Sequence, residues 1–174
     1  MQIETSIIGA LKLIGMPSNI TPILSDRDGV TPKAPYLIIN VMSSMKVGIP
    51  RKSISHRDGF KTESVFQVKD FIINFTLHAK ANDPAHDWFS RFETGIDSDL
   101  FGYSFYRHGL GIVGAGSVMY QPQPMDGSNY KRAILDVTFR SEVADEYTIE
   151  RLNGVEIEGD LSSGVTVTVD KSIV

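Results

Sequence analysis

Gly109-Leu110-Gly111-Ile112-Val113-Gly114 matches the G-x-G-x-x-G pattern of dinucleotide-binding turns letter for letter. That chemistry needs a strand before the glycines and a helix after them, so that a pyrophosphate meets a helix N-terminus. Here a candidate helix precedes the glycines, and the β-prone Ile112, Val113, Val118, Met119 and Tyr120 follow. The expected reading is a helix cap leading into a Gly-rich strand past which another backbone runs close. His56, His78, His86 and His108 have neither the i,i+4 helical spacing nor the short strand spacing of zinc ligands. Asp26-Arg27-Asp28 and Asp97-Ser98-Asp99 pair carboxylates without the Gly and closing Glu of a calcium loop, so turn and capping roles are expected. The chain carries no nucleophile elbow, P-loop or kinase-like set. No catalytic residue, cofactor or metal is therefore assigned.

One cluster of like charge stands out. Lys46, Arg51, Lys52, Arg57 and Lys61 fall in one polar stretch, opposed only by Asp58 and Glu63. Such a cluster can face phosphate, and several copies brought together would multiply its charge, because backbone neutralisation adds over contacts. The plainer alternative is a solvated loop.

Bulk properties limit the rest. The chain has 174 residues, 41% hydrophobic and 22% charged, enough for one good core without a metal or disulfide staple. It has no Cys, which removes disulfide frameworks, thiolate metal sites and a cysteine nucleophile. A formal net charge of −4 argues against a surface built all over to grip nucleic acid. Met1 to Gly15 lacks the basic start and small-residue cleavage site of a secretory signal, and no apolar run approaches a bilayer span. The expectation is a protein made and used in the cytoplasm, or in something assembled there.

The spacing predicts the elements that position these residues. Ile3, Ile7, Leu11 and Ile14 share a helical stripe with Ala10 beside it, and Gly15 and Pro17 stop it. A turn-rich connector, Ser18 to Pro35, leads to a buried strand, Tyr36 to Met42. Ser43 to Lys61 reads as a long exposed hairpin loop. A strand from about Ser64 places Phe71, Ile73, Phe75 and Leu77 on one face and Ile72, Asn74, Thr76 and His78 on the other, with two-sided packing at its centre. Asp83-Pro84 opens a helix whose Ala85, Trp88, Phe89, Phe92 and Ile96 face the sheet, and a second short helix spans about Ser98 to Arg107. Strands from about Ile112 to Gln121 and Tyr130 to Glu142 follow as an antiparallel pair, joined by a loop containing Pro122, Pro124 and Asp126-Gly127. The tail holds strand-like Thr148 to Leu152, an Asn153-Gly154 turn, Val155 to Glu158 and Val165 to Val169. An isolated hairpin is marginal in water, so this tail should lie on the main sheet or, preferably, on a neighbouring subunit.

The expected class is α+β, a mixed and mainly antiparallel sheet with two or three helices on one face, a long β-hairpin and a C-terminal β arm. Residues 1–157 form one domain that includes the exposed hairpin 43–63, and 158–174 form the arm. This order of elements, with Ala34-Pro35-Tyr36, the Val68 to Leu77 strand, the Gly109-Leu110 turn, Arg132 to Arg140, Glu146 to Glu150 and Val155-Glu156-Ile157, resembles the neck and tail-terminator family of tailed bacteriophages over nearly the whole chain.

The resemblance implies a structural virion protein rather than an enzyme. It implies a head-to-tail joining ring, commonly a hexamer of identical subunits, that caps the tail tube, meets the head-side connector and lets DNA pass through its lumen. It places the protein in the virion neck after assembly in the host cytoplasm, with the tail tube protein, the connector protein and other copies of itself as partners and no membrane. Lys46, Arg51, Lys52, Arg57 and Lys61 would then face the lumen or the tube. The competing readings are another virion component, such as a connector adaptor or tail-tube relative, and a small-ligand-binding domain or hydrolase with a pocket near His78, His86 or His108.

Overall fold

The computed structural model describes residues 3–25, 32–57, 60–125 and 128–149. Three helices and six strands run in the order α1 (Ile3–Leu13), β1 (Thr21–Leu24), β2 (Tyr36–Arg57), β3 (Phe60–Lys80), α2 (Ala85–Gly95), α3 (Asp99–Tyr106), β4 (Gly111–Ala115), β5 (Met119–Met125) and β6 (Ser128–Ile149). The fold is α+β, with one mixed, mostly antiparallel sheet ordered β1-β2-β3-β6-β4 and β5 paired to β6. The chain divides into two compact units, one of residues 1–49 and 67–143, the other of residues 50–66 and 144–174.

In the first unit the helical stripes meet one face of the sheet. Ile7, Ala10 and Leu11 of α1, and Ala85, Phe89 and Phe92 of α2, are buried together with Leu37 and Ile39 of β2, Ile73, Phe75 and Leu77 of β3, and Ala133, Leu135, Val137 and Phe139 of β6. The strand residues alternate because successive side chains point to opposite faces. Phe75 sits at the centre, edge-on to Phe92 at 5.3 Å between ring centroids and to Phe139 at 6.3 Å, the geometry that ring quadrupoles favour. Thr76 and His78 are buried as well, so β3 packs on both sides towards its C-terminal end, whereas Ile72 on the same face is exposed.

Local signals end the helices where the sequence indicates. The Asp83 carboxylate accepts a hydrogen bond from the Ala85 amide at 2.9 Å, ahead of Pro84 at the cap. Ser98 caps α3, its hydroxyl accepting from the Phe101 amide. Asp97-Ser98-Asp99 is thus a capping turn. Gly109, at φ +74°, takes the left-handed position after α3 that a side chain would strain, and Leu110 donates back to the Phe105 carbonyl at 3.1 Å.

Four expectations are corrected. Ser43 to Arg57 and Phe60 to Lys61 are strand rather than loop: β2 continues to Arg57 and β3 begins at Phe60. The connector contains a strand, β1, pairing in parallel with the start of β2 from Thr21 opposite Tyr36 to Leu24 opposite Ile39. The strand expected from Ile112 to Gln121 is two strands, β4 and β5, which pair consecutively along one edge of β6. Pro122 and Pro124 lie in β5, opposite Lys131 and Asn129, rather than in a loop. An edge strand tolerates them because an amide that points away from the sheet has no partner to lose. The break between β4 and β5 is held from both sides: Gly116 donates to the Asp136 carbonyl at 2.8 Å, and the Glu93 carboxylate of α2 accepts from the Val118 amide at 2.8 Å.

In the second unit, residues 50–57 of β2 and 60–66 of β3 belong to the β2–β3 hairpin. The Asp58-Gly59 and Asp126-Gly127 turns, the Asp26-Arg27-Asp28 turn, and everything expected beyond Ile149, including the arm 158–174, lie outside the described residues. Among the described residues, no helix is long and apolar enough to cross a membrane.

Candidate functional site

The five cations lie on the two strands of the β2–β3 hairpin. Lys46 lies exposed on β2 in the first unit, whereas Arg51 and Lys52 lie exposed on β2 in the second. Being consecutive in a strand, Arg51 and Lys52 point to opposite faces. The Arg51 guanidinium sits over the Phe66 ring, 4.4 Å from its centroid. Lys52 pairs with Glu63 at 2.9 Å, and that hydrogen bond and charge raise the ammonium above its ordinary pKa. Part of the charge counted in the sequence is therefore answered within the hairpin. Arg57 ends β2 and Lys61 opens β3; their side chains lie outside the described residues.

The helix-free face of the sheet in the first unit carries a polar chain that the sequence reading did not assemble. The Thr76 hydroxyl donates to the Asn74 amide oxygen at 2.7 Å, and the Asn74 amide donates to the Asp136 carboxylate at 2.6 Å. Arg140 clasps Asp70 with two hydrogen bonds, at 2.7 and 2.9 Å, and these hold the Asp70 carboxyl below the usual carboxylate range. The signal was the alternation of polar residues at 74, 76 and 78 with those at 136, 138 and 140, which only the antiparallel pairing of β3 and β6 brings side by side. These are satisfied structural pairs. Their geometry offers no nucleophile held by a base.

His78, His86 and His108 have packing roles, and the His56 side chain lies outside the described residues. His78 stacks on Tyr36, with ring centroids 4.8 Å apart and planes 12° from parallel. His86 packs edge-on to Tyr120 at 6.1 Å, and although its ring lies beside the Ala79 and Lys80 backbone, neither nitrogen has good hydrogen-bond geometry. His108 lies over Gly9 of α1, where an added Cβ would come 2.6 Å from the ring. Two surface hollows, of about 740 and 500 Å³, lie beside α2 and between α3 and β4, and neither is lined by a histidine. Among the described residues no group of three His, Asp or Glu is placed to hold a metal. The Gly109–Gly114 run is a helix cap and strand β4, as its flanking residues imply. A Cβ on Gly111 would meet the Arg140 carbonyl at an ordinary 3.7 Å and one on Gly114 would meet nothing, so no close backbone approach demands glycine at either position.

Burial lowers the pKa of both His78 and His86, aided at His78 by Arg132 and at His86 by Lys131. A histidine with a depressed folded pKa binds fewer protons than its unfolded form. Stability is thus full above the ordinary value of 6.5 and is lost as pH falls below it towards the lowered folded values. The melting temperature should decline from neutral pH towards about pH 5, and the decline should flatten in a His78→Asn/His86→Gln variant. A wild-type melting temperature that stays level across that range would refute this reading of the two rings.

A phage neck terminator protein family model matches residues 2–162. No curated protein matches the chain. The described fold and the capping, packing and ion-pair roles of its chemistry-bearing residues accord with a structural part of the neck, and the chain belongs to the phage neck terminator family.

Proposed function

We propose that this protein is a ring-forming neck terminator, a homo-oligomer and most simply a hexamer, that caps the finished tail tube and joins it to the head-side connector. The family match across residues 2–162 carries the proposal. The task needs binding surfaces and no reaction, which agrees with the packing of His78, His86 and His108 and the capping turn at Asp97-Ser98-Asp99. Identical subunits around a rotation axis meet through two different surfaces, so each must carry two unlike sticky patches. The tail tube protein and the connector protein are its partners, the virion neck is its final place, and assembly takes place in the host cytoplasm.

DNA passes through the lumen in this scheme, and Lys46, Arg51, Lys52, Arg57 and Lys61 supply non-specific backbone contact there or on the tube. The direct test is to add the purified protein to tail tubes that lack a terminator. Electron micrographs should show a cap at one end only, and capped tubes should join filled heads. Binding to free connectors with none to tube ends would instead assign the protein to the head side.

A further inference from the structure

Among the described residues the sheet of the first unit has two open edges, and each carries apolar side chains left in solvent. On one side, β1 pairs with β2 only as far as Ile39, and among the described residues no strand covers the outer edge of β2 beyond it. From Val41 to Ile49 this edge holds no proline and one charge, Lys46, whereas exposed edges are normally blunted by such residues. Met45 is 65% and Ile49 is 95% exposed, with Met42 also in solvent. On the other side, β4 ends the sheet, and α3 packs beside it. Leu100 and Tyr106 are 66% and 74% exposed, Tyr103 and Val113 are also exposed, and a hollow of about 500 Å³ separates α3 from β4. The neighbouring β5 is guarded by Pro122 and Pro124, but β4 has no such guard.

The charges at the two edges are opposite. Lys46 is the only charge along the open stretch of β2, while Asp97 and Asp99 line the hollow beside Tyr103 and Tyr106. None of the three has an ion-pair partner among the described residues. Tyr and Met are enriched at protein interfaces, where large rigid or adaptable apolar side chains contribute most of the binding energy.

We infer that the β2 edge of one subunit, bearing Met42, Met45, Lys46 and Ile49, docks against the α3–β4 edge of a second copy, bearing Asp97, Asp99, Leu100, Tyr103, Tyr106 and Val113. The inference rests on the ring reading above and names the two surfaces that close it. One chain cannot bring opposite edges of its own sheet together, and a single foreign partner would leave one patch uncovered. A head-to-tail arrangement of copies covers both, apolar against apolar and Lys46 against the two carboxylates, and leaves none over when the ring closes.

The test uses two full-length double variants, Met45→Glu/Ile49→Glu and Tyr103→Ser/Tyr106→Ser, with native mass measured for the protein alone and on tail tubes. All four side chains are exposed, so each variant should keep the wild-type circular dichroism spectrum. Each alone should be monomeric. Mixed, they should form a one-to-one heterodimer of twice 19.2 kDa and go no further, since each supplies the surface the other lacks. Wild-type oligomers from either variant alone would overturn the assigned surfaces while leaving the ring reading intact. Homodimers of one variant would overturn the head-to-tail contact. A wild-type protein monomeric both alone and on tubes would remove the ring reading itself. Should a variant misfold, the chain's lack of Cys allows a second measurement: Met45→Cys and Val113→Cys chains, mixed and treated with a short thiol crosslinker, should give the heterodimer far faster than either gives its homodimer. Equal rates would overturn the pairing.

Discussion

Replacing Phe75 with Ala should cost about 3–5 kcal/mol, a large part of the stability of an ordinary domain of this size. Phe75 is fully buried in the C-terminal part of β3 and touches both Phe92 of α2 and Phe139 of β6. Truncation removes the transfer free energy of the ring and two edge-to-face contacts, each worth about 0.5–1.5 kcal/mol. It also leaves a cavity whose walls, two long strands and a helix, cannot close in. Chemical denaturation should show the midpoint falling with an unchanged slope. A loss below about 1 kcal/mol would mean that the helices do not rest on β3 as described. Trp88 provides the contrast: it stacks on Phe92 at 5.7 Å with planes 2° apart but is only half-buried, so Trp88→Ala should cost less.

The second large effect is on function. Substituting Arg51, Lys52 and Arg57 with Ser should leave the fold intact but impair joining or DNA retention, and the defect should be largest at low salt and narrow as salt is raised. Each cation lost from a phosphate contact lowers the salt slope of binding by about 0.9, and a ring multiplies that by its number of subunits. The three are not equivalent. Lys52 is paired with Glu63, so Lys52→Ser also removes an ion pair within the hairpin. Arg51→Ser/Arg57→Ser is therefore the cleaner variant, at the cost of the Arg51–Phe66 contact, worth about 0.5–1 kcal/mol at an exposed site. Unchanged DNA retention and infectivity in the triple variant would remove the hairpin from the mechanism.

The sequence was most legible where one face of an element is buried. The stripe at Ile7, Ala10 and Leu11, the aromatics at 89 and 92, and the alternation at 133, 135, 137 and 139 each reported a core face directly, because burial imposes the helical or strand period. The far half of β2 was illegible for the converse reason. Residues 42–46 and 48–55 are exposed on both sides of the strand, so no alternation marks them and their Ser, Lys and Gly content imitates a loop. Pro122 and Pro124 misled similarly, since proline signals an end to pairing except on an edge. β1, at four residues, is too short to show a period.

The candidate surfaces divide along the same line. The cations of the hairpin were visible as a count, but their partners, Glu63 and Phe66, depend on strand pairing that residue spacing alone does not specify. The exposed Tyr103 and Tyr106 drew no notice because an apolar residue in a helix reads as core until its exposure is known, and Met45 and Ile49 because they fall in a stretch that reads as a polar loop. The glycine run was legible as a helix cap followed by a strand, but the close backbone approach expected there is absent at Gly111 and Gly114.

Native mass measured across a range of protein concentrations, with negative-stain images of the heaviest species, is the measurement that bears most directly on a ring at the top of the tail. A closed ring with a central hole, formed by the protein alone or on tail tubes, is the expected result. A strict monomer under both conditions would contradict it.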